Sequence, residues 1–407
     1  ERSLSTTVNT LLVLGGGMQL DGIRVLDLTR LLPGPYATQL LADAGAEVIK
    51  IEDTGSGDYA RLMPPYTDAG TGAVFDAVNR GKKGVALDLK SDGGQDAFLR
   101  LAAEADVVIE SFRPGVVDRL GVDYETVRER NDDVVYCSIT GYGQNGPLAD
   151  SVGHDLNYVG RAGMLDLTRE DETSRPQIPG YTVADLAGGL FAAFSVVSAL
   201  LTRELGNGGG EYIDVSMTDV VLSFSQAVVQ PVFDGESPRP GESELTGGLP
   251  WYDVYETADG KYVTFAALEP QFYRAFCEAV DRPDLIDAHS TTDAAEREAL
   301  RGELAEVFAS RTREEWTAAL SDVEASVEPV YTLAEAIEDE QIAARDLVWE
   351  ENRPRIGFPA QGSDAPVDRG RPAPDQGEHT VSVLRNVGYD AAEIEALEAA
   401  GAVLTTE

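Results

Sequence analysis

An alternation along the chain narrows the fold more than any other feature. Apolar runs of strand length stand at 23–28, 47–52, 84–90, 106–110 and 134–139, with helical periodicity between them at 36–44, 91–104 and 116–120. Strands joined through a helix do not form hairpins; each connection is long enough to cross over and lay the next strand parallel to the last. Residues 23–52 are the first such unit, with Pro33-Gly34-Pro35 punctuating its turn and Gly45 placed to end its helix. The expected fold class is therefore α/β, with an open parallel sheet. The first turn lacks Gly-x-Gly-x-x-Gly, which argues against a dinucleotide. Ligands of open sheets bind beyond the carboxyl ends of the strands, and the loops at 111–115 and 140–146 belong to that edge.

The stretch that follows, 153–189, carries the candidate chemistry. Of three histidines, only His154 sits in a glycine-flanked, partly apolar segment, Gly153-His154-Asp155-Leu156-Asn157-Tyr158. Asp185 opens a long apolar run, 186–201, where a carboxylate is costly unless it is paired or used. Each has an ordinary structural explanation, a hydrogen-bonded histidine and a helix N-cap. Together they supply the imidazole and carboxylate that proton transfer at a carbon centre needs. The run 183–201 is apolar enough to raise a membrane span. Asp185, the Gly188-Gly189 step and the missing basic flank on the N-terminal side favour a buried core helix instead.

Charge excludes several classes of partner. Lys and Arg total 32 against 71 Asp and Glu, a net charge of −39 spread along the whole chain. Such self-repulsion needs screening, so a cytoplasmic protein of a high-salt cell is expected. Nucleic acid and anionic membrane are not expected partners at this charge, and the recurring apolar periods exclude a disordered acidic chain. Basic residues concentrate at Lys50, Arg61, Arg80, Lys82, Lys83, Lys90, Arg113 and Arg119, the one segment able to meet a phosphorylated ligand. Cys137 and Cys277 read as buried thiols of a reducing compartment. No metal-ligand spacing occurs, and no metal is expected. Met18 reads as the natural start, after an extension at 1–17 that contains no convincing signal peptide.

Further along, a strand at 212–215 and a second long apolar helix at 217–232 precede a shift in composition. Residues 234–247 are rich in Gly, Pro, Glu and Ser and read as a linker. A hairpin at 251–257 and 261–268 turns around Ala258-Asp259-Gly260, and helices near 294–309 and 313–320 complete a smaller α+β domain. The expected division is an extension 1–17, a large α/β domain 18–233, a small domain 234–328 and a return segment 329–407. The last of these holds a helix at 333–345, an extended Pro- and Gly-rich stretch at 356–375 and a final helix at 391–399.

The chain resembles the family III CoA-transferase superfamily across nearly all of 18–404. The resemblance rests on Val25-Leu26-Asp27-Leu28, on Gly34-Pro35, on the run from Leu41-Ala42-Asp43 to Ile49-Lys50-Ile51-Glu52, on Leu87-Asp88-Leu89-Lys90 and on Arg113-Pro114-Gly115. Within that superfamily it is most similar to the alpha-methylacyl-CoA racemase branch. The residues behind this are the His154 segment, Asp185 before Gly188-Gly189, Gly247-Gly248 with Pro250-Trp251-Tyr252-Asp253, and Glu269-Pro270-Gln271-Phe272-Tyr273. The resemblance implies a large domain built from both chain ends, a small domain inserted between them, and an interlocked homodimer. It implies an acyl-CoA thioester as substrate, with CoA part of that substrate and no further cofactor. A 2-methylacyl-CoA is inverted by removing the α-proton from one face and returning one to the other, through an enolate. His154 and Asp185 match the two bases, each worth roughly 10²–10⁴ in rate, and Glu269 matches the acid that orients the histidine. Backbone N–H groups at the start of the Asp185 helix are the expected enolate donors.

Arg113, Arg119 and Lys90 match positions that contact CoA, and Gly153 and Tyr158 lie at the pantetheine end. Many relatives carry a basic residue just after the strand ending in Glu52; Asp53 stands there in this chain, with Arg61 as the expected replacement. In the transferases of the superfamily, the aspartate matching Asp185 is a nucleophile that forms a mixed anhydride, and a second acid then takes the CoA. Those transferases usually lack the histidine, so His154 and Glu269 favour the racemase. The same residues count against a CoA-ester binding protein without turnover.

Overall fold

The structure, a computed structural model, describes residues 19–237, 239, 241, 243–349, 353–360 and 371–406. The expected start at Met18, the extension 1–17 and the middle of the Pro- and Gly-rich stretch lie outside the described residues. Packing divides the chain into two units. The first takes the N-terminal part through Ala162, Gly180–Ser223 and the part from Asp346 onward; the second takes Gly163–Pro179 and Phe224–Arg345.

The first unit is built on a seven-stranded sheet. Its strands are β1 (Arg24–Asp27), β2 (Glu47–Glu52), β3 (Lys83–Leu87), β4 (Val107–Glu110), β5 (Val135–Thr140), β6 (Glu211–Ser216) and β7 (Val403–Leu404), in the order β7-β3-β2-β1-β4-β5-β6. The six long strands are parallel, as the alternation predicts; β7, not foreseen, adds an antiparallel edge to β3, so both ends of the chain build one sheet. From β1 the chain steps outward to β2 and β3, then returns to place β4 on the other side of β1. Val25 accordingly pairs with Val48 of β2 and Val107 of β4. Strand order reverses between β1 and β4, where the helices leave in opposite directions and a crevice opens. Below it, Leu26, Ile49, Val85, Val108 and Tyr136 pack against Phe98 and Leu101 of the helix Asp92–Ala102. Each fully buried side chain of this size contributes about 1.5–3 kcal/mol.

Four helices place the site: α1 (Pro33–Asp43), α2 (Asp155–Arg161), α3 (Val183–Glu204) and α4 (Met217–Ser223). α1 starts earlier than its periodicity suggests, because Pro33 fits a first-turn position whose N–H has no partner. α3 is long and apolar enough to cross a membrane by composition, but half of its most apolar window is buried inside the protein. It packs along α1, and a Cβ on Gly189 would strike the Pro33 carbonyl, so the helices approach at bare backbone. The single helix expected at 217–232 is instead α4, a turn at Phe224–Ala227 and a short helix Gln230–Phe233. Pro231 has no N–H with which to continue the earlier helix.

The second unit holds an antiparallel sheet of Tyr252–Glu256, Tyr262–Ala266 and Val327–Pro329; the first two form the expected hairpin, and the third strand was not foreseen. Its core is aromatic. Phe265 lies 4.5 Å from Phe276 between ring centres, and Phe308 stacks on Phe276 at 5.1 Å. The helix expected at 333–345 is two helices, Leu333–Ile337 and Glu340–Ala344. Asp339 restarts the chain by accepting the N–H groups of Gln341 and Ile342 at 2.9 and 3.3 Å.

Candidate active site

A cavity of about 1010 Å³ opens at the carboxyl edge of the sheet, over the switch between β1 and β4, and all its lining residues belong to the first unit. The turn after β1 contributes Arg30 and Leu31, the loop after β4 contributes Ser111, Phe112 and Arg113, and the loop after β5 contributes Gly141 and Tyr142. His154 and Asp185 line the same cavity. Two residues 31 positions apart in sequence are thus brought to one solvent-accessible space.

The joint between them is Asp155. His154 is the N-cap residue of α2, with extended backbone, and its N–H donates to Asn157 Oδ1 at 3.0 Å. The next residue turns its carboxylate to the start of α3, where Asp155 Oδ1 accepts the N–H groups of Ala184 at 2.6 Å and Asp185 at 3.1 Å. Thr182, the N-cap of α3, makes no side-chain cap of its own, so Asp155 supplies the cap from 29 positions away. This corrects the expectation for the enolate donors: two first-turn N–H groups of α3 are already taken. In the first turn of α2, the N–H groups of Asp155 and Leu156 meet no acceptor among the described residues.

Asp185 is half-buried, and no described group donates a hydrogen bond to its carboxylate. Burial first, and the negative charge of Asp155 second, lift its carboxyl from 3.8 to about 7. Tyr158 is buried beside it, and burial followed by the Asp185 charge raises the phenol to about 12. The Tyr158 ring meets Tyr142 edge-on at 5.2 Å and fills the space left by the missing side chains of Gly141 and Gly153. A Cβ on Gly153 would stand 2.6 Å from that ring, so this glycine is required by the close approach.

Of the eight cations gathered in the sequence, only Arg113 and Arg119 line the cavity, both exposed and without a carboxylate partner among the described residues. The others are held within the fold or face elsewhere. Lys50 and Lys82 are fully buried: Lys50 Nζ bonds Asp58 Oδ2 at 3.0 Å and Thr29 O at 2.5 Å, and Lys82 Nζ bonds Asp27 Oδ2 at 3.0 Å and Thr38 Oγ1 at 2.7 Å. Burial drives the Lys82 ammonium down to about 8 against the pull of Asp27. This network positions the site, because Asp58 also accepts the N–H of Leu31 at 3.0 Å. Leu31 needs that hold, since its φ of +67° is unfavourable for a branched side chain.

Arg61 forms a two-pronged pair with Glu52 at 2.8 and 2.7 Å and stacks 3.7 Å above Phe75. Arg80 pairs with Asp43 and Lys83 with Glu47. Lys90 is exposed at the turn after β3, outside the cavity lining. Glu269 is the exposed N-cap residue of Pro270–Ala279 in the second unit and does not line the cavity.

Two contributors escaped the sequence reading. Glu110, buried at the end of β4, accepts the Phe112 N–H at 2.7 Å and so fixes the loop that carries Arg113; burial lifts its carboxyl to about 7 despite that bond and one from Ser138. Arg30 stands in the turn after β1, its Nη2 3.1 Å from Asp53 Oδ2. The signal for it was present, a cation directly after a strand that ends at the ligand-binding edge.

The model of CoA-transferase family III matches residues 20–380. An alpha-methylacyl-CoA racemase of Mus musculus is 34% identical, across 93% of this chain and 95% of that protein. A succinyl-CoA:mesaconate CoA-transferase of Haloarcula marismortui is 36% identical, across 91% and 97%. The crystal structure of a CAIB/BAIF family protein from Brucella suis superposes with a TM-score of 0.80 at 30% identity, covering 91% of this chain and all of that one.

Proposed function

This chain belongs to CoA-transferase family III, and we propose that within it the chain is a racemase that inverts the α-carbon of 2-methylacyl-CoA thioesters. The observation that carries this reading is the shared cavity of His154 and Asp185. One of the two takes the α-proton, the electron pair moves into the thioester carbonyl as an enolate, and the conjugate acid of the other returns a proton to the opposite face. A carboxyl near 7 suits both tasks, since at neutral pH it is present as base and as acid. The unaccepted N–H groups of Asp155 and Leu156 are the backbone donors next to His154 in sequence, and we assign them the enolate oxygen. Arg113 and Arg119 take the phosphates, Gly153 and Tyr158 wall the pantetheine, and the support of the protonated imidazole falls to a Glu269 supplied by the other subunit of the proposed homodimer. The acting form is an interlocked homodimer in the cytoplasm of a high-salt cell.

A second reading, a CoA-transferase, is favoured by the 36% identity to the mesaconate enzyme and by the absence of donors to Asp185 among the described residues. There the Asp185 carboxylate attacks the thioester carbonyl, the CoA thiolate leaves, and a mixed anhydride forms. His154 has no part in that chemistry, which is why the racemase is preferred.

Incubation with a 2-methylacyl-CoA in D₂O at high salt separates the two. Deuterium at the α-carbon without any acceptor acid is the expected result, and His154→Ala should suppress exchange from one stereoisomer more than from the other. CoA transfer to added succinate, with no α-exchange, would reject the racemase.

A further inference from the structure

We propose that Arg30, set against Tyr59 and Phe112 and tethered to Asp53, is the third cation of the cavity and holds a phosphate at the nucleotide end of the ligand. The proposal rests on the reading of that ligand as a CoA thioester. Arg30, Tyr59 and Phe112 all line the cavity together with Arg113 and Arg119. The guanidinium carbon lies 5.3 Å from the centre of the Tyr59 ring and 5.4 Å from that of Phe112, within range of cation–π attraction to both.

Its tether is itself fixed. Asp53 Oδ2 holds Arg30 Nη2 at 3.1 Å, while Asp53 Oδ1 accepts the N–H groups of Gly55 at 2.9 Å and Gly57 at 3.2 Å. A guanidinium has five N–H donors in a rigid fork. The Asp53 bond uses one, and no other described side chain or carbonyl takes a second. The remaining fork matches a phosphate, which accepts two parallel N–H bonds.

Charge makes the same demand. A phosphomonoester carries about −1.5 to −2 at pH 7, and a CoA thioester adds a pyrophosphate, while the protein around it has a net charge of −39. Two exposed arginines fall short of that. Asp53 therefore does not delete a cation from the site; it exchanges sides with one, because the carboxylate after β2 carries an arginine delivered from β1.

The test compares the protein with Arg30→Gln on three thioesters of one acyl group: the CoA ester, its 3′-dephospho analogue and the pantetheine ester. Loss of a charge-assisted bond predicts a KM roughly 10–100-fold higher for the CoA ester with kcat little changed, and an unaltered KM for the pantetheine ester. If the two nucleotide esters suffer equally, the contact is to the pyrophosphate; if only the CoA ester suffers, it is to the 3′-phosphate. Equal losses on all three thioesters, or no loss on any, overturn the proposal. Should Arg30→Gln not fold, Arg30→Lys decides. It keeps the charge without the fork, so a KM for the CoA ester raised less than the roughly 10–100-fold predicted for Gln is expected, and a KM raised equally for the CoA and pantetheine esters rejects the contact. Adding Asp53→Arg to Arg30→Gln returns a cation from the other side and should recover affinity for the nucleotide esters alone. A wild-type protein that turns over the pantetheine ester and gains nothing from the nucleotide end overturns the Arg30 contact alone. One that neither turns over nor binds the CoA ester fails the reading of the site, and the proposal with it.

Discussion

Replacing Asp155 by Asn separates the shape of the joint between the two candidate bases from its charge. Asn keeps an oxygen that can accept the N–H groups of Ala184 and Asp185, now bonded at 2.6 and 3.1 Å, so the cap of α3 survives. Ala removes it and should destabilise the protein by about 1 kcal/mol. What Asn takes away is the negative charge beside the Asp185 carboxyl, which burial and then Asp155 lift from 3.8 to about 7. As the smaller of two contributions, Asp155 accounts for less than half of that rise. The carboxyl should therefore move down from about 7 without reaching the ordinary 3.8, because burial, the larger cause, remains. The assay is α-proton exchange in D₂O against pH, started from each stereoisomer. Where Asp185 acts as base, the acidic limb of the rate profile should move to lower pH and the plateau should drop, since a weaker base abstracts more slowly. Where it acts as acid, the alkaline limb should move to lower pH as well. Limbs that stay in place with the fold intact would refute the electrostatic role of Asp155. Asn and Ala variants that behave alike in melting and in rate would show that its charge does not matter.

Two further outcomes follow from the buried and surface charge. Asp185 keeps its proton to about 7 when folded, whereas the unfolded chain releases it from about 3.8, so folding loses stability as pH climbs through that window and the full penalty stands above it. Asp185→Asn should thus melt higher than the wild type at pH 8, by an amount on the order of a few kcal/mol, with the gap closing toward pH 4; a gap that does not change with pH would contradict the burial argument. With a net charge of −39, lowering salt from 1 M to 0.1 M lengthens the screening distance from about 3 to about 10 Å and should lower the melting temperature sharply. Melting that ignores salt would count against the high-salt setting.

Much of the first unit was legible because it is written in short-range periods. The strand at 47–52 coincides with β2, and the other sheet runs differ from the observed strands by a few residues at their ends. α2 escaped notice because seven residues, Asp155–Arg161, are too few to show a helical period beside a glycine-rich turn. The lysines misled for a different reason. Lys50 and Lys82 look like surface cations in a sequence, yet both are buried, Lys50 against Asp58 and Lys82 against Asp27, and the pairing of β1, β2 and β3 is what brings Lys82 to Asp27. Arg61 is held by Glu52, which leaves Arg30 beside Arg113 and Arg119 at the cavity.

The chain alone determined that there would be a parallel sheet, which edge would carry the cavity, and that His154 and Asp185 were the residues to watch, because apolar spacing and the placing of a costly acid are local properties. Tertiary structure decided that β4 returns beside β1 to open the crevice, that Asp155 reaches across 29 positions to cap the helix of Asp185, and which arginines keep free donors. Those outcomes depend on contacts between segments distant in sequence, whose energies no run of neighbouring residues contains.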